Sequence, residues 1–201
     1  VLSMIPALGG LSAAIAATGI GAILIAVVAL GAAFIGAVKK GAQFGKAVSD
    51  LRAISGGTEK EIANLSKQAK QLGATTVFTA SDVVLLQTEL AKLGFEAGEI
   101  QNATPSILDL AAALDVGLAD AAAFAGAQIN AFNLDASETK RIVDVMAFSA
   151  VNSAQDFTTL SESFKKAAPA AQALGVSVER TAAILGIIAD SNIKGSEAGT
   201  A

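Results

Sequence analysis

Leu174-Gly175-Val176-Ser177-Val178-Glu179 is a phrase that ends one helix and starts the next. Gly or Asn takes the left-handed conformation that closes a helix. The apolar residue after it pins the turn to the core. Ser, Thr or Asp then caps the following helix, and the acid suits that helix's positive end. Close variants are Leu93-Gly94-Phe95 before Glu96-Ala97-Gly98-Glu99, Leu114-Asp115-Val116-Gly117-Leu118, and Phe132-Asn133-Leu134-Asp135-Ala136-Ser137-Glu138. Ile193-Lys194-Gly195-Ser196-Glu197 repeats it once more. The phrase returns roughly every 20 residues, the length of one short helix with its turn. No stretch alternates over a strand length apart from a brief Thr75–Phe78. The pattern predicts an all-α domain of about seven short helices, with turns near 73–79, 94–98, 115–118, 133–136, 152–156 and 174–177.

Upstream of the first phrase, Thr58-Glu59-Lys60-Glu61 reads as a capping box, with Thr58 as cap and Glu61 at the third helical position. Ile62, Leu65, Ala69 and Leu72 form the buried face of that helix, and Gly73 is expected to end it. Thr79-Ala80-Ser81-Asp82 caps a helix bearing Val83, Leu86, Leu90 and Leu93. After a short helix from Glu96, Thr104-Pro105 reads as a fresh cap with proline at the first helical position. Further on, Ile142, Val143, Val145 and Met146, then Phe157, Leu160 and Phe164, then Ile184, Leu185, Ile187 and Ile188 mark three more helices.

The N-terminal end is different in kind. Val1 to Val38 contains no Lys, Arg, Asp or Glu. A helix apolar on every side needs shielding all round, by protein or by lipid. About 20 such residues span a bilayer, while Gly9-Gly10, Gly19, Gly21, Gly31 and Gly36 with many alanines let helix backbones approach closely. Both environments fit: packing against copies of itself, or insertion in a membrane. Lys39, Lys40, Lys46 and Arg52 follow, either as a membrane edge or as solvated turns of a continuing helix with the stripe Phe44, Val48, Leu51 and Ile54. Ser55-Gly56-Gly57 stops that helix. The chain thus divides into an apolar Ala/Gly-rich helical segment, 1–44, and a helical domain, 45–201.

Composition narrows the function classes. Of 201 residues, 53% are hydrophobic but only 4% aromatic, so the core is Ala, Val, Leu and Ile and favours close helix contacts. The net charge of −4 does not suggest a polyanion-binding surface, and no sequence-specific nucleic-acid partner is expected. With no Cys there are no disulfides or thiolate metal sites, and with no His the commonest base and metal ligand is missing. Positive charge follows the apolar run rather than preceding it, unlike a signal peptide. The chain begins without Met and stops at Gly199-Thr200-Ala201, which reads as a piece of a longer protein truncated at its C-terminal end.

Several stretches resemble the conserved domain of phage tail tape measure proteins of the TP901 type. They are Ile54-Ser55-Gly56-Gly57-Thr58, Ala69–Asp82, Leu93-Gly94-Phe95, Thr104–Ala113, Ala131–Ser137, Ala173–Ser177 and Asn192–Thr200, in the family's order and spacing. The resemblance covers about residues 45–201. Leu85-Leu86-Gln87-Thr88-Glu89-Leu90 departs from it, since smaller residues are expected after that cap. The resemblance implies a structural protein, not an enzyme, in the tail of a phage or phage-like contractile particle. Such a protein lies in the tube lumen or baseplate, sets tail length, and partners with tail tube and baseplate or tail tip proteins. It is released ahead of the DNA and helps cross the host inner membrane. It also implies several symmetric copies, three being expected. In a homotrimer Gly21, Gly31 and Gly36 would make the close backbone contacts, with Ile20, Leu24, Val27 and Phe34 filling the layers between. No cofactor or metal is expected.

Competing chemistry is thin. Asp109, Asp115 and Asp120 could supply the two carboxylates of a glycosidase, but the last two sit at helix ends where acids are ordinary. Ser163 and Lys166 could form a nucleophile pair one turn apart, against a plain reading as solvated surface. Gly56-Gly57 ahead of a helix could cradle a phosphate, but the lysine and serine of a P-loop are missing. The alternative to a tail protein is a pore-forming or channel-type membrane protein built on the apolar segment.

Overall fold

The computed structural model describes residues 39–201. Every regular element among them is helical. We label them α1 (39–55), α2 (Glu59–Thr75), α3 (Ala80–Lys92), α4 (Ala97–Leu114), α5 (Leu118–Ala131), α6 (Thr139–Val151), α7 (Phe157–Ala173), α8 (Val178–Asp190) and the single turn α9 (Gly195–Ala198). A 3-10 turn, Ala136–Glu138, leads into α6. The domain is therefore all-α, as its capping phrases predict. The apolar segment 1–38 lies outside the described residues, and with it Gly21, Gly31, Gly36, Ile20, Leu24, Val27 and Phe34.

The recurring phrase is a Schellman turn each time. Gly94, Asp115, Asn133, Gly175 and Asn192 have φ of 92°, 52°, 51°, 68° and 67°. The N–H of the apolar residue after each one reaches back to a carbonyl in the last helical turn. Phe95 donates to Leu90 at 3.1 Å, Val116 to Ala111 at 3.0 Å, Leu134 to Ile129 at 2.9 Å, Val176 to Ala171 at 2.8 Å and Ile193 to Ile188 at 3.3 Å. Carbonyls that the helix end would leave unpaired are satisfied locally, so each stop is written in two or three residues.

Helix starts are equally local. Thr58 Oγ1 accepts the Glu61 N–H at 3.4 Å, and the Glu61 carboxylate accepts the Thr58 N–H at 2.8 Å. The Thr58 hydroxyl and backbone hold the Glu61 carboxyl below its ordinary range. Thr79 and Asp82 repeat the arrangement, as do Asp156 and Thr159. Thr58→Ala should destabilise the domain by about 1 kcal/mol, the usual loss for a Thr cap. Urea unfolding followed by circular dichroism measures it, and a change below about 0.3 kcal/mol would show that the box contributes little.

Lys46–Ala201 form one packed unit. In it α2 lies against α3 and α4, α3 against α4 and α5, α4 against α5 and α6, and α5 against α6 and α7. Further along, α6 and α7 each pack on α8, and α9 seats on α7. Leu51, Ile62, Leu65, Leu86, Leu90, Ile100, Ile107, Leu110, Ile129, Ile142, Met146, Leu160 and Phe164 are fully buried between these helices.

Four expectations change. Helix α2 does not stop at Gly73 but runs to Thr75, and Gly73 instead serves as the point where the start of α3 comes closest. On α1 the buried residues are Ala47 and Leu51, while Ile54 is 43% exposed. Ser163 is not solvated surface: it is fully buried, with its hydroxyl within reach of the carbonyls of Thr159 (2.8 Å) and Gly195 (2.9 Å). Finally, Thr104-Pro105 opens no helix, because α4 is continuous through Pro105. Proline has no N–H for the Gln101 carbonyl four residues back. Gln68 Nε2 on α2 supplies the missing donor at 2.7 Å, and Gln87 Nε2 on α3 in turn donates to Gln68 Oε1 at 3.2 Å. Thr104 is buried, with its hydroxyl bonded to the Ile100 carbonyl at 2.6 Å.

Candidate functional site

Helices α6 and α8 lie side by side and parallel. Near their N-terminal ends Arg141 on α6 pairs with Glu179 on α8. Past the C-terminal end of α6 the Ala154 N–H donates to Oδ1 of Asp190, the last residue of α8, at 2.8 Å, and Gln155 Nε2 donates to the carbonyl of Leu185 within α8 at 2.7 Å. Between the two helices runs an open groove of about 960 Å³. Val145, Phe148, Ala182, Ala183, Gly186 and Ile187 make its apolar surface. Phe148 is 70% and Ile187 69% exposed, and Val151 and Ile184 on the same helices are 71% and 46% exposed. Large apolar side chains lying this open in adjoining helices mark an interaction surface. Ser149 also lines the groove; it is 7% exposed and its hydroxyl has no hydrogen-bond partner.

The rim is charged and internally paired. Lys140 bonds Asp144 at 2.8 Å, which raises the lysine's pKa. Arg141 bonds Glu138 as well as Glu179, and these contacts raise the guanidinium's pKa, the Glu138 bond most. Counting all lining groups, four carboxylates (Glu138, Asp144, Glu179, Asp190) face two bases. Both bases already have carboxylate partners, so the rim presents net negative charge.

A smaller cavity of about 450 Å³ lies between α5 and α7, lined by Phe124, Phe157, Phe164 and Gln128. Its aromatic rings are engaged with one another: Phe124 stands edge-on to Phe157 at 5.4 Å and to Phe164 at 6.2 Å.

The candidate catalytic groups do not assemble into a site. Asp109, Asp115 and Asp120 are exposed; Asp115 is the left-handed residue closing α4, and Asp120 lies in the first turn of α5. Lys166 is exposed while the Ser163 hydroxyl is held between two carbonyls. At Gly56-Gly57 the Glu61 carboxylate occupies the helix N-terminus where a phosphate would bind. Among the described residues no group of Asp and Glu could hold a metal ion, and no helix is long and apolar enough to cross a membrane. The groove itself was not picked out by sequence. Its signal is the run Ile184, Leu185, Ile187, Ile188: residues so spaced cannot all face one core, and Ile184 and Ile187 are the pair left outside.

The family described as "Phage-related minor tail protein" matches residues 66–201. The chain is 38% identical over 153 residues to the "Tape measure protein" of Pneumococcus phage Dp-1, covering 76% of this chain and 13% of that protein. It is likewise 38% identical over 154 residues to the "Probable tape measure protein" of Escherichia phage P2, covering 76% of this chain and 19% of that protein. The chain thus spans less than a fifth of the length of these relatives. No solved structure matches it. With residues 66–201 matched throughout, the chain belongs to the phage-related minor tail protein family.

Proposed function

We propose that this chain is part of a tail tape measure protein, a structural and non-enzymatic component of a phage or phage-like contractile particle. The family match over residues 66–201 carries the reading. In this role the protein lies in the tail, sets its length, organises tube and baseplate assembly, and leaves ahead of the DNA to help cross the host inner membrane. The uncharged run Val1–Val38 supports the last step, since it suits shielding by sister copies in the particle and by lipid after release. Three copies meeting along that run, with Gly21, Gly31 and Gly36 at the contacts, would satisfy its need for cover. The 1–44 segment and the 45–201 domain then have separate tasks, oligomer core and structural module.

The test is made on the full-length protein in its own particle. Inserting a helical segment outside the domain should lengthen the tail by about 1.5 Å per added residue, the rise of an α-helix. Mass spectrometry of purified tails should find the protein there in three copies. Tails of unchanged length, or a protein missing from the tail, overturn the reading; a single copy overturns the trimer alone.

A further inference from the structure

We propose that the groove between α6 and α8 is the docking site for a basic amphipathic helix of a partner protein, its apolar stripe on Phe148 and Ile187 and its bases toward the acidic rim. The inference does not depend on the tape measure reading, because it rests on the surface alone. The two walls are parallel 13-residue helices, each about 20 Å long by helical rise. A groove of that form accepts a third helix of three to four turns, side chains of one seating between ridges of the others. Strand addition has no template here, since no described residue is in a strand.

Two observations choose the occupant. Phe148 and Ile187 are about seven-tenths exposed, as are the anchors of an unfilled site rather than of a finished core. The rim carries four carboxylates and two bases, and both bases are already engaged. A second copy of this chain is a poor occupant on the same count: its net charge is −4, and two such grooves face to face would bring their excess carboxylates together. Lysine or arginine flanking an apolar stripe meets Asp190, and the carboxylates of Glu138 and Glu179 that share the single Arg141, favourably.

The experiment uses the whole 201-residue chain. Two fluorescent helical peptides of about 14 residues carry leucine at i, i+3, i+4 and i+7. The remaining positions hold lysine in one and glutamate in the other. Anisotropy at low salt should show the lysine peptide binding at least about ten-fold more tightly. Phe148→Ser with Ile187→Ser should weaken it by about ten-fold or more, as loss of two central anchors does. Both residues are exposed, and an unchanged thermal unfolding curve confirms that the variant is folded. Asp190→Asn keeps the acceptor for Ala154 and removes one charge; it should weaken binding by roughly three-fold at low salt and hardly at all at 1 M. No binding, equal binding of both peptides, or binding indifferent to the double variant overturns the proposal. A concentration-dependent dimer abolished by Phe148→Ser assigns the groove to a second copy and also overturns it.

Discussion

Phe164→Ala should lower the unfolding free energy by about 4 kcal/mol, the middle of the range for truncating a buried phenylalanine. Phe164 is fully buried on α7, and its ring stands at 74° to that of Phe124 with centroids 6.2 Å apart. Phe124 is itself edge-on to Phe157 at 5.4 Å, so the three rings clamp α5 to α7. Among the described residues only Phe95, Phe124 and Phe164 are buried phenylalanines, in a core otherwise built mainly of aliphatic side chains, and few neighbours are large enough to collapse into the space left. For a chain of this size each kcal/mol shifts the melting temperature by about 2–4 °C, so a fall of roughly 8–16 °C is expected. Phe148→Ala provides the contrast. With Phe148 70% exposed, its removal should change stability by no more than about 0.5 kcal/mol. Urea titrations of both variants decide the matter, and equal losses would mean that the burial described for the two rings is wrong.

Gly73→Ala should also destabilise, against the ordinary preference of helices for alanine. A Cβ at position 73 would lie 2.4 Å from the Ala80 nitrogen and 2.7 Å from its Cα. Those are backbone atoms at the start of α3, and they cannot swing aside like a side-chain tip. Overpacking of this kind costs about 3 kcal/mol at the upper end of its usual range. Replacing a mid-helix glycine gains about 1 kcal/mol in backbone entropy. Sterics win, and a net loss of about 2 kcal/mol is expected. Gly98→Ala on α4, where a Cβ meets nothing within 4 Å, should be neutral or mildly stabilising. If Gly73→Ala stabilises as Gly98→Ala does, the close approach of α2 to the start of α3 is refuted.

These sites differ in how far they could be read in advance. The Thr58–Glu61 box and the turns at Gly94, Asp115, Asn133, Gly175 and Asn192 depend on interactions spanning at most five residues, so the local sequence carries them in full. At Pro105 the local sequence misleads for the opposite reason. Its local neighbourhood is that of a helix start, and what keeps α4 continuous is an amide from Gln68, 33 residues before the carbonyl it serves. Gly73 looks like a helix stop by the same local logic, while its actual role is set by Ala80 folding back across the turn. By composition alone Ser163 reads as surface, because serine usually lies there. It is buried because α9 seats on α7 and brings the Gly195 carbonyl to its hydroxyl.

By itself the sequence determined the class of fold, the number of helices to within one or two short turns, and most of the places where they begin and end. These follow from capping and left-handed closure, which are short-range and strongly tied to residue type. The family too was readable there, through motifs that sit on those same turns. Which apolar residues stay outside was decided only in three dimensions. Ile184 and Leu185 are chemically alike and adjacent, yet one is 46% exposed and the other 2%. The difference arises because α8 leans on α6 and α7 with one face and leaves the other open. The groove, the acidic excess of its rim and the unpartnered Ser149 all follow from that placement, since they depend on side chains some 40 residues apart being brought to one surface.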